Sequence, residues 1–242
     1  MGSENLKKAV KRVCWLAGID LTRNMAYDRQ TANLMKRILN THSNCIDIGS
    51  HDGDILAKMI RLAPKGVHFA FEPIPEYYQY LKRHFGSFAT IFPCALSDKE
   101  DITSFQYVKN APAYSGLKKR QYNKDKPDIE ELTVETRRLD RIIPHHIHID
   151  FIKIDVEGAE YQVMKGAIDL LSRCRPFIVF EFGLGASDYY GAHPGALFTL
   201  LESAGLNINT LPNFLKQTKP LCVSDFEDLY YQNREYYFIA FP

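Results

Sequence analysis

The sequence predicts an α/β fold, with a parallel β-sheet and a ligand crevice along the carboxyl edge of its strands. Three observations carry this prediction. Short apolar runs alternate with segments of helical spacing along most of the chain, the pattern of strand–crossover–strand units. Two of those runs end abruptly in acids and glycine: Cys45-Ile46-Asp47-Ile48-Gly49-Ser50-His51-Asp52-Gly53 and Ile152-Lys153-Ile154-Asp155-Val156-Glu157-Gly158-Ala159-Glu160. Open α/β sheets bind ligands outside the carboxyl ends of their strands, so two such ends imply one crevice. Finally, 242 residues suit one large domain better than two small ones.

The elements follow in order. Residues 5–40 read mostly as helix, with Leu6, Val10 and Val13 on one stripe and Leu34, Ile38 and Leu39 on another. A break at Gly18-Ile19-Asp20 separates them, and residues 1–40 are taken as an N-terminal helical extension. Ile46 and Ile48 belong to a buried strand, and residues 54–60 to a helix stopped by Pro64 to Gly66. Residues 67–71 form the next strand, and Pro75 opens a helix with Tyr77, Leu81 and Phe85 on its apolar face. Residues 90–92 and 94–96 read as one third strand region.

Residues 99–140 break the rhythm. Two stretches of β-like alternation, 102–108 and 132–139, flank a polar segment with Gly116 and Pro127, so an irregular insertion is expected there. Alternation resumes with strand 149–155, helix 159–172, strand 177–182 and helix 194–204. Residues 206–211 and 236–241 pair as an antiparallel hairpin at the sheet edge.

A formal net charge of +1 gives no broad attraction to nucleic acid or membrane, and Lys118-Lys119-Arg120 reads as a solvated loop. The five cysteines are widely spaced without a CxxC pair, which indicates neither zinc nor a disulfide framework. Reduced thiols in a cytoplasmic protein are expected. The sequence predicts no secretory signal and no membrane span.

Five motifs carry chemistry. In the first, Gly49 and Gly53 let backbone approach a ligand, with Ser50 and His51 between them, and Asp47 suits a ligand with a positive centre. The spacing departs from G-x-G-x-x-G, which argues against a nicotinamide reductase, as does the lack of a helical Tyr-x-x-x-Lys pair. In the second, Glu72, before Pro73, closes the next strand, where a carboxylate accepts two ribose hydroxyls. In the third, Ala95-Leu96-Ser97-Asp98 falls where an adenine contact belongs. The fourth places Asp155 and Glu157 at a strand end, where carboxylates bind a cation, act as a base or hold a cofactor; Glu160 reads as a helix cap. The fifth, Glu181, sits among apolar residues and needs a partner if buried.

Together these motifs resemble the FkbM family of methyltransferases. The resemblance runs from about residue 28 to about residue 212 and rests on Ile46-Asp47-Ile48-Gly49 with Gly53, Phe71-Glu72-Pro73, Ala95-Leu96-Ser97-Asp98, Arg138-Leu139-Asp140 and residues 152–160, with Asp28 and Thr31 in the preceding helix. It implies a class I methyltransferase, Rossmann-like fold over 41–242, whose seven-stranded, mostly parallel sheet has one antiparallel strand and helices on both faces. It also implies methyl transfer from S-adenosylmethionine to a hydroxyl of a sugar or small molecule, with S-adenosylhomocysteine as product. Candidates for catalysis are then Asp155, Glu157 and Glu181. Cofactor binding falls to Asp47, Gly49, Ser50, His51, Gly53, Glu72, Pro73, Ala95, Leu96, Ser97 and Asp155. The acceptor falls to Tyr114, Ser115, Tyr189, Tyr190 and His193, and no metal site is predicted. Two departures bear on the acceptor and on metal use: Ser50-His51-Asp52 replaces the family's Ala-Asn, and Phe182-Gly183 follows Glu181 where histidine is usual. A protein that binds the cofactor, or only a partner, without turnover is the competing expectation.

Overall fold

The structure, a computed structural model, describes residues 20–121 and 126–242. The chain divides into two compact units, residues 1–38 and 39–242. In the first, helix α1 (Arg23–Ile38) buries Met25, Tyr27, Thr31, Leu34 and Met35, at helical spacing. The expected stripe at Leu6, Val10 and Val13, and Gly18 and Ile19 of the expected break, lie outside the described residues.

The second unit is built on a seven-stranded sheet. Its elements run β1 (Cys45–Ile48), α2 (Asp54–Leu62), β2 (His68–Phe71), α3 (Pro75–Phe85), β3 (Thr90–Phe92), β4 (Ala95–Leu96), β5 (Asp101–Val108), β6 (Ile129–Arg137), α4 (Leu139–Ile142), β7 (Phe151–Ile154), α5 (Glu160–Lys165), α6 (Ile168–Cys174), β8 (Phe177–Glu181), α7 (Pro194–Ser203), β9 (Asn207–Thr210), α8 (Leu211–Leu215), α9 (Val223–Tyr231) and β10 (Tyr237–Phe241). The strand order is β3-β2-β1-β7-β8-β10-β9. Pairing is parallel from β3 through β8, while β10 runs antiparallel to both β8 and β9. One strand alone is therefore reversed, as the family resemblance implies.

The sheet pleat sorts its residues. Ile46, Ile48, Ile152, Ile154, Ile178 and Phe180 enter one continuous core with Leu170, Leu171, Leu197, Leu201 and Phe226 of the helices. Asp47, Lys153 and Val179, which alternate with them, are also buried and face the other way. Burying such a side chain is worth about 1.5–3 kcal/mol, so the strands are held mainly by the core.

Four sequence expectations are corrected. Residues 90–96 do not form one strand: β3 is an edge of the large sheet, while β4 joins a three-stranded sheet of order β4-β6-β5. Residues 99–140 are more regular than expected, because β5 and β6 pair antiparallel over the whole of β5, and Ile74, Ala95, Phe105, Tyr107 and Val134 give the small sheet its own core. The single helix expected at 159–172 is two, broken at Gly166, where a Cβ would stand 2.1 Å from the Ser97 carbonyl oxygen. Finally, β9 and β10 pair, but two helices separate them in sequence, and β10 lies inside the sheet, leaving β9 as its edge.

Phe180→Ala, in the core centre, should cost about 3–5 kcal/mol. Ile102→Ser, at a side chain that is 72% exposed, should change stability by no more than about 0.5 kcal/mol. Urea titration of both variants measures this, and similar losses at the two positions would contradict the placement of the core.

Candidate active site

Strand register brings the predicted acids to one face. Asp47 pairs laterally with Ala70 on β2 and with Lys153 on β7, and Lys153 pairs with Val179 on β8. Two residues further along, on the same side of the pleat, come Gly49, Glu72, Asp155 and Glu181. Backbone bonds carry the ladder through this row: Gly49 N–H to the Phe71 oxygen at 3.0 Å, Glu72 N–H to Phe92 at 3.1 Å and Asp155 N–H to Ile48 at 3.0 Å. Glu181 pairs with Tyr237 of β10.

The first glycine turn shapes the β1 end. Gly49 has φ 75°, and a Cβ there would lie 1.9 Å from the Asp155 carbonyl oxygen; only glycine lets the two strand ends meet. Gly53, φ 82°, packs its bare Cα side against Leu81 and Phe85 and leads into α2. The Ser50 hydroxyl donates to the Asp47 carbonyl at 2.8 Å, which ties the turn to its own strand.

Glu72 is anchored on both oxygens. It accepts the His51 N–H at 2.8 Å and the Ile74 N–H at 2.9 Å, and it is 3% exposed. Burial raises its pKa to about 7, against the lowering effect of those bonds. Asp47 is also buried; burial, with Asp155 nearby, outweighs Lys153 and lifts its pKa to about 6. Asp47 Oδ2 has no hydrogen-bond partner, so a buried acceptor stands ready for a donor. The His51 ring lies 4.1 Å from Tyr77, and its Nε2 is also buried without a partner.

The second acidic end is held by two cations. Lys153 Nζ, buried, donates to Asp155 Oδ2 at 2.8 Å. Burial works against its charge, but Asp155, Tyr237 and Glu181 outweigh burial and raise its pKa. Arg120 pairs with Glu157, and its guanidinium also lies 5.2 Å from the Tyr114 ring. Burial, then Asp155, lifts Glu157 to about 8 despite Arg120. Burial and Asp155 hold Glu181 well above the usual carboxylate range. Glu160 accepts the Val156 and Gly158 N–H groups; both precede its helix, so it ties the turn rather than capping the helix as expected.

The remaining candidates are less closely gathered. Pro73 is half-buried beside Glu72. Ala95 packs with Ile74, Leu96 enters the main core, and Ser97 donates its N–H to Arg137. Tyr190 accepts the Lys118 N–H through its hydroxyl, and Tyr189 accepts the Lys118 ammonium through its carbonyl. Ser115 is spent within the insertion, where its hydroxyl accepts the Val108 N–H at 3.0 Å. His193 is exposed at the start of α7, and its carbonyl accepts the Ala196 and Leu197 N–H groups; no described contact joins its ring to the acids.

Sequence reasoning missed Lys153, although a lysine inside the apolar run Phe151 to Ile154 is itself a signal, since buried charges need partners. It also took Lys118-Lys119-Arg120 for a solvated loop. The Arg120 side chain is instead 7% exposed, and no periodicity in a loop could have shown this. A cavity of about 590 Å³ lies on the small sheet, lined by Glu100 to Ile102 and Thr133 to Arg137; it includes none of the acids of the strand-end row. Among the described residues, no group of three His, Cys, Asp or Glu is placed to hold a metal ion.

Gly49→Ala should destabilise the protein by at least about 2 kcal/mol, from left-handed strain and overlap with Asp155. Thermal unfolding checks this, and a wild-type melting temperature would refute the close approach.

Comparison with known proteins agrees with this geometry. Residues 47–221 match the methyltransferase FkbM domain. The chain is 29% identical over 162 residues to "Methyltransferase sdnD" of Sordaria araneosa, covering 53% of this chain and 62% of that protein. It is 27% identical over 175 residues to "2-O-methyltransferase NoeI" of Sinorhizobium fredii, covering 66% of this chain and 70% of that protein. The crystal structure of methyltransferase FkbM from Methylobacillus flagellatus shares the fold with a TM-score of 0.50 at 17% identity, over 84% of this chain and 44% of that one. The chain belongs to the FkbM methyltransferase domain family.

Proposed function

We propose that this chain is an S-adenosylmethionine-dependent O-methyltransferase acting on a hydroxyl of a sugar, glycan or small molecule. The observation that carries the reading is the row of acids at one sheet edge, with a buried, unpartnered Asp47 oxygen beside a glycine turn and a fixed Glu72. These residues fit the cofactor: Asp47 suits its ammonium and Glu72 its ribose hydroxyls. When bound, the cofactor supplies a methyl carbon activated by its sulfonium. The relatives named as a methyltransferase and a 2-O-methyltransferase support the same chemistry.

A hydroxyl acceptor needs alignment, exclusion of water and removal of one proton. Asp155 is the first candidate for the proton, because its carboxylate is fixed by Lys153 while its side chain remains 33% exposed. Glu181, with its pKa far above normal, suits a hydrogen-bond donor better than a base. Glu157 lies between these roles. Tyr114, Tyr189 and Tyr190 offer rings and hydroxyls to an acceptor. The described thiols are unpaired, with Cys45, Cys94 and Cys174 buried, which supports a reducing, cytoplasmic setting. No described helix is long and apolar enough to cross a membrane. The near-neutral charge favours a small acceptor over nucleic acid.

S-adenosylhomocysteine should raise the melting temperature and NADH should not; stabilisation by NADH alone would overturn the proposal. Glu72→Ala should weaken S-adenosylhomocysteine binding by about tenfold or more, and unchanged affinity by calorimetry would remove Glu72 from the ribose role.

The raised pKa values of Asp47 and Glu72 set a pH dependence. A carboxyl with a raised folded pKa contributes stability that is fully present below its unfolded value and lost as pH rises through the folded one. The unliganded protein therefore loses this contribution as pH climbs from about 4 through about 6 for Asp47 and about 7 for Glu72. Ligand ammonium and hydroxyl donors favour the ionised carboxylates, so binding should tighten over that window and release protons. Calorimetry in buffers of different ionisation enthalpy reads the proton count; uptake would contradict the assignment.

A further inference from the structure

Lys153 is a buried cation among the acids of the edge. It sits one rung below the acidic row, paired laterally with Asp47 and Val179, and reaches up to Asp155 Oδ2 at 2.8 Å. Its charge is felt by acids on three adjacent strand ends: Asp47 on β1, Asp155 after β7 and Glu181 on β8. Carboxylates gathered at a sheet edge are the kind of oxygen donor that divalent cations take, but here, among the described residues, no three of them are placed to hold a metal ion. An ammonium is a compact point charge with three donors, and here it is supplied by the chain itself.

We propose that Lys153 is the built-in cation of this site: it takes the place of a bridging divalent metal and positions Asp155, so that methyl transfer proceeds without one. The inference rests on the proposed reaction for its consequence, but its geometry is independent of the acceptor. Lys153 touches neither cofactor nor acceptor in this scheme and is a positioning residue. Its own position fits that role. A lysine on a buried strand loses side-chain freedom and hydration, and the surrounding acids alone offset that cost. The neighbouring Arg120 cannot substitute, because it is engaged by Glu157 and the Gly185 carbonyl.

The test is manganese binding read by electron paramagnetic resonance on the full chain, with S-adenosylhomocysteine affinity measured in parallel. Wild type should bind no Mn²⁺ at the edge up to about 1 mM, and its S-adenosylhomocysteine affinity should be the same with EDTA as with Mn²⁺. Lys153→Met should gain Mn²⁺ affinity by about tenfold or more, and Asp155→Asn on that background should remove the gain. Lys153→Arg, which keeps the charge, should not gain it. Wild-type Mn²⁺ binding that Asp155→Asn abolishes would overturn the proposal, as would a folded Lys153→Met with unchanged Mn²⁺ affinity. Should Lys153→Met not fold, Lys153→Gln, which also removes the charge, is read in the same way, and no gain there would overturn the proposal. Failure of wild type to bind S-adenosylhomocysteine would instead count against the proposed function and leave the metal result standing.

Discussion

The site depends on one constraint: several carboxylates must share a sheet edge out of bulk water. Burial alone makes each reluctant to ionise, and each neighbour makes the next worse. The raised values of Asp47, Glu72, Glu157 and Glu160 show the strain of that arrangement. Lys153 relieves it at Asp155 and Arg120 at Glu157, while backbone N–H groups hold Glu72 and Glu160. The edge is thus neither neutral nor uncompensated.

The two halves of the edge are built differently. The Asp47–Glu72 half is fixed by the parallel sheet and a glycine turn, with the large core behind it. The Glu157 half takes its countercharge from the insertion between β5 and β6, whose residues 118–121 bond to Tyr189, Tyr190, Gly185 and Glu157. The small sheet has a core of its own. Changes in that insertion therefore alter the surroundings of Glu157 without unpacking the Asp47–Glu72 half.

The strands and most helices were legible because their signals are local. Ile46, Ile48, Ile152 and Ile154 announce buried strands, and Pro75 and Pro194 announce helix starts. The acids at Asp47, Glu72 and Asp155 were legible because each ends an apolar run. What escaped depends on distant partners. The break at Gly166 comes from the Ser97 backbone, far off in sequence. The position of β10 inside the sheet is a matter of pairing, which alternation does not encode. Arg120 was misread because a charge in a loop looks solvated until the fold supplies Glu157. Lys153 was within reach: its charge contradicts its strand, and such a local conflict marks a functional or strained site.

Left-handed backbone outside glycine occurs at five described residues, two of them in the turns after β1 and β7. Outside glycine, His51 at φ 48° and Glu157 at φ 58° adopt left-handed conformations, each at a cost of about 1–2 kcal/mol. His51 follows the β1 end and Glu157 follows the β7 end, the two acid-tipped strands that the sequence singled out. Neither is a residue that favours this conformation by lacking a side chain, and glycines lie beside both. The backbone here aims the His51 N–H at Glu72, and the Glu157 side chain, which a glycine would lack, reaches Arg120. The strain is local, the core behind it is large, and the geometry it secures is that of the site.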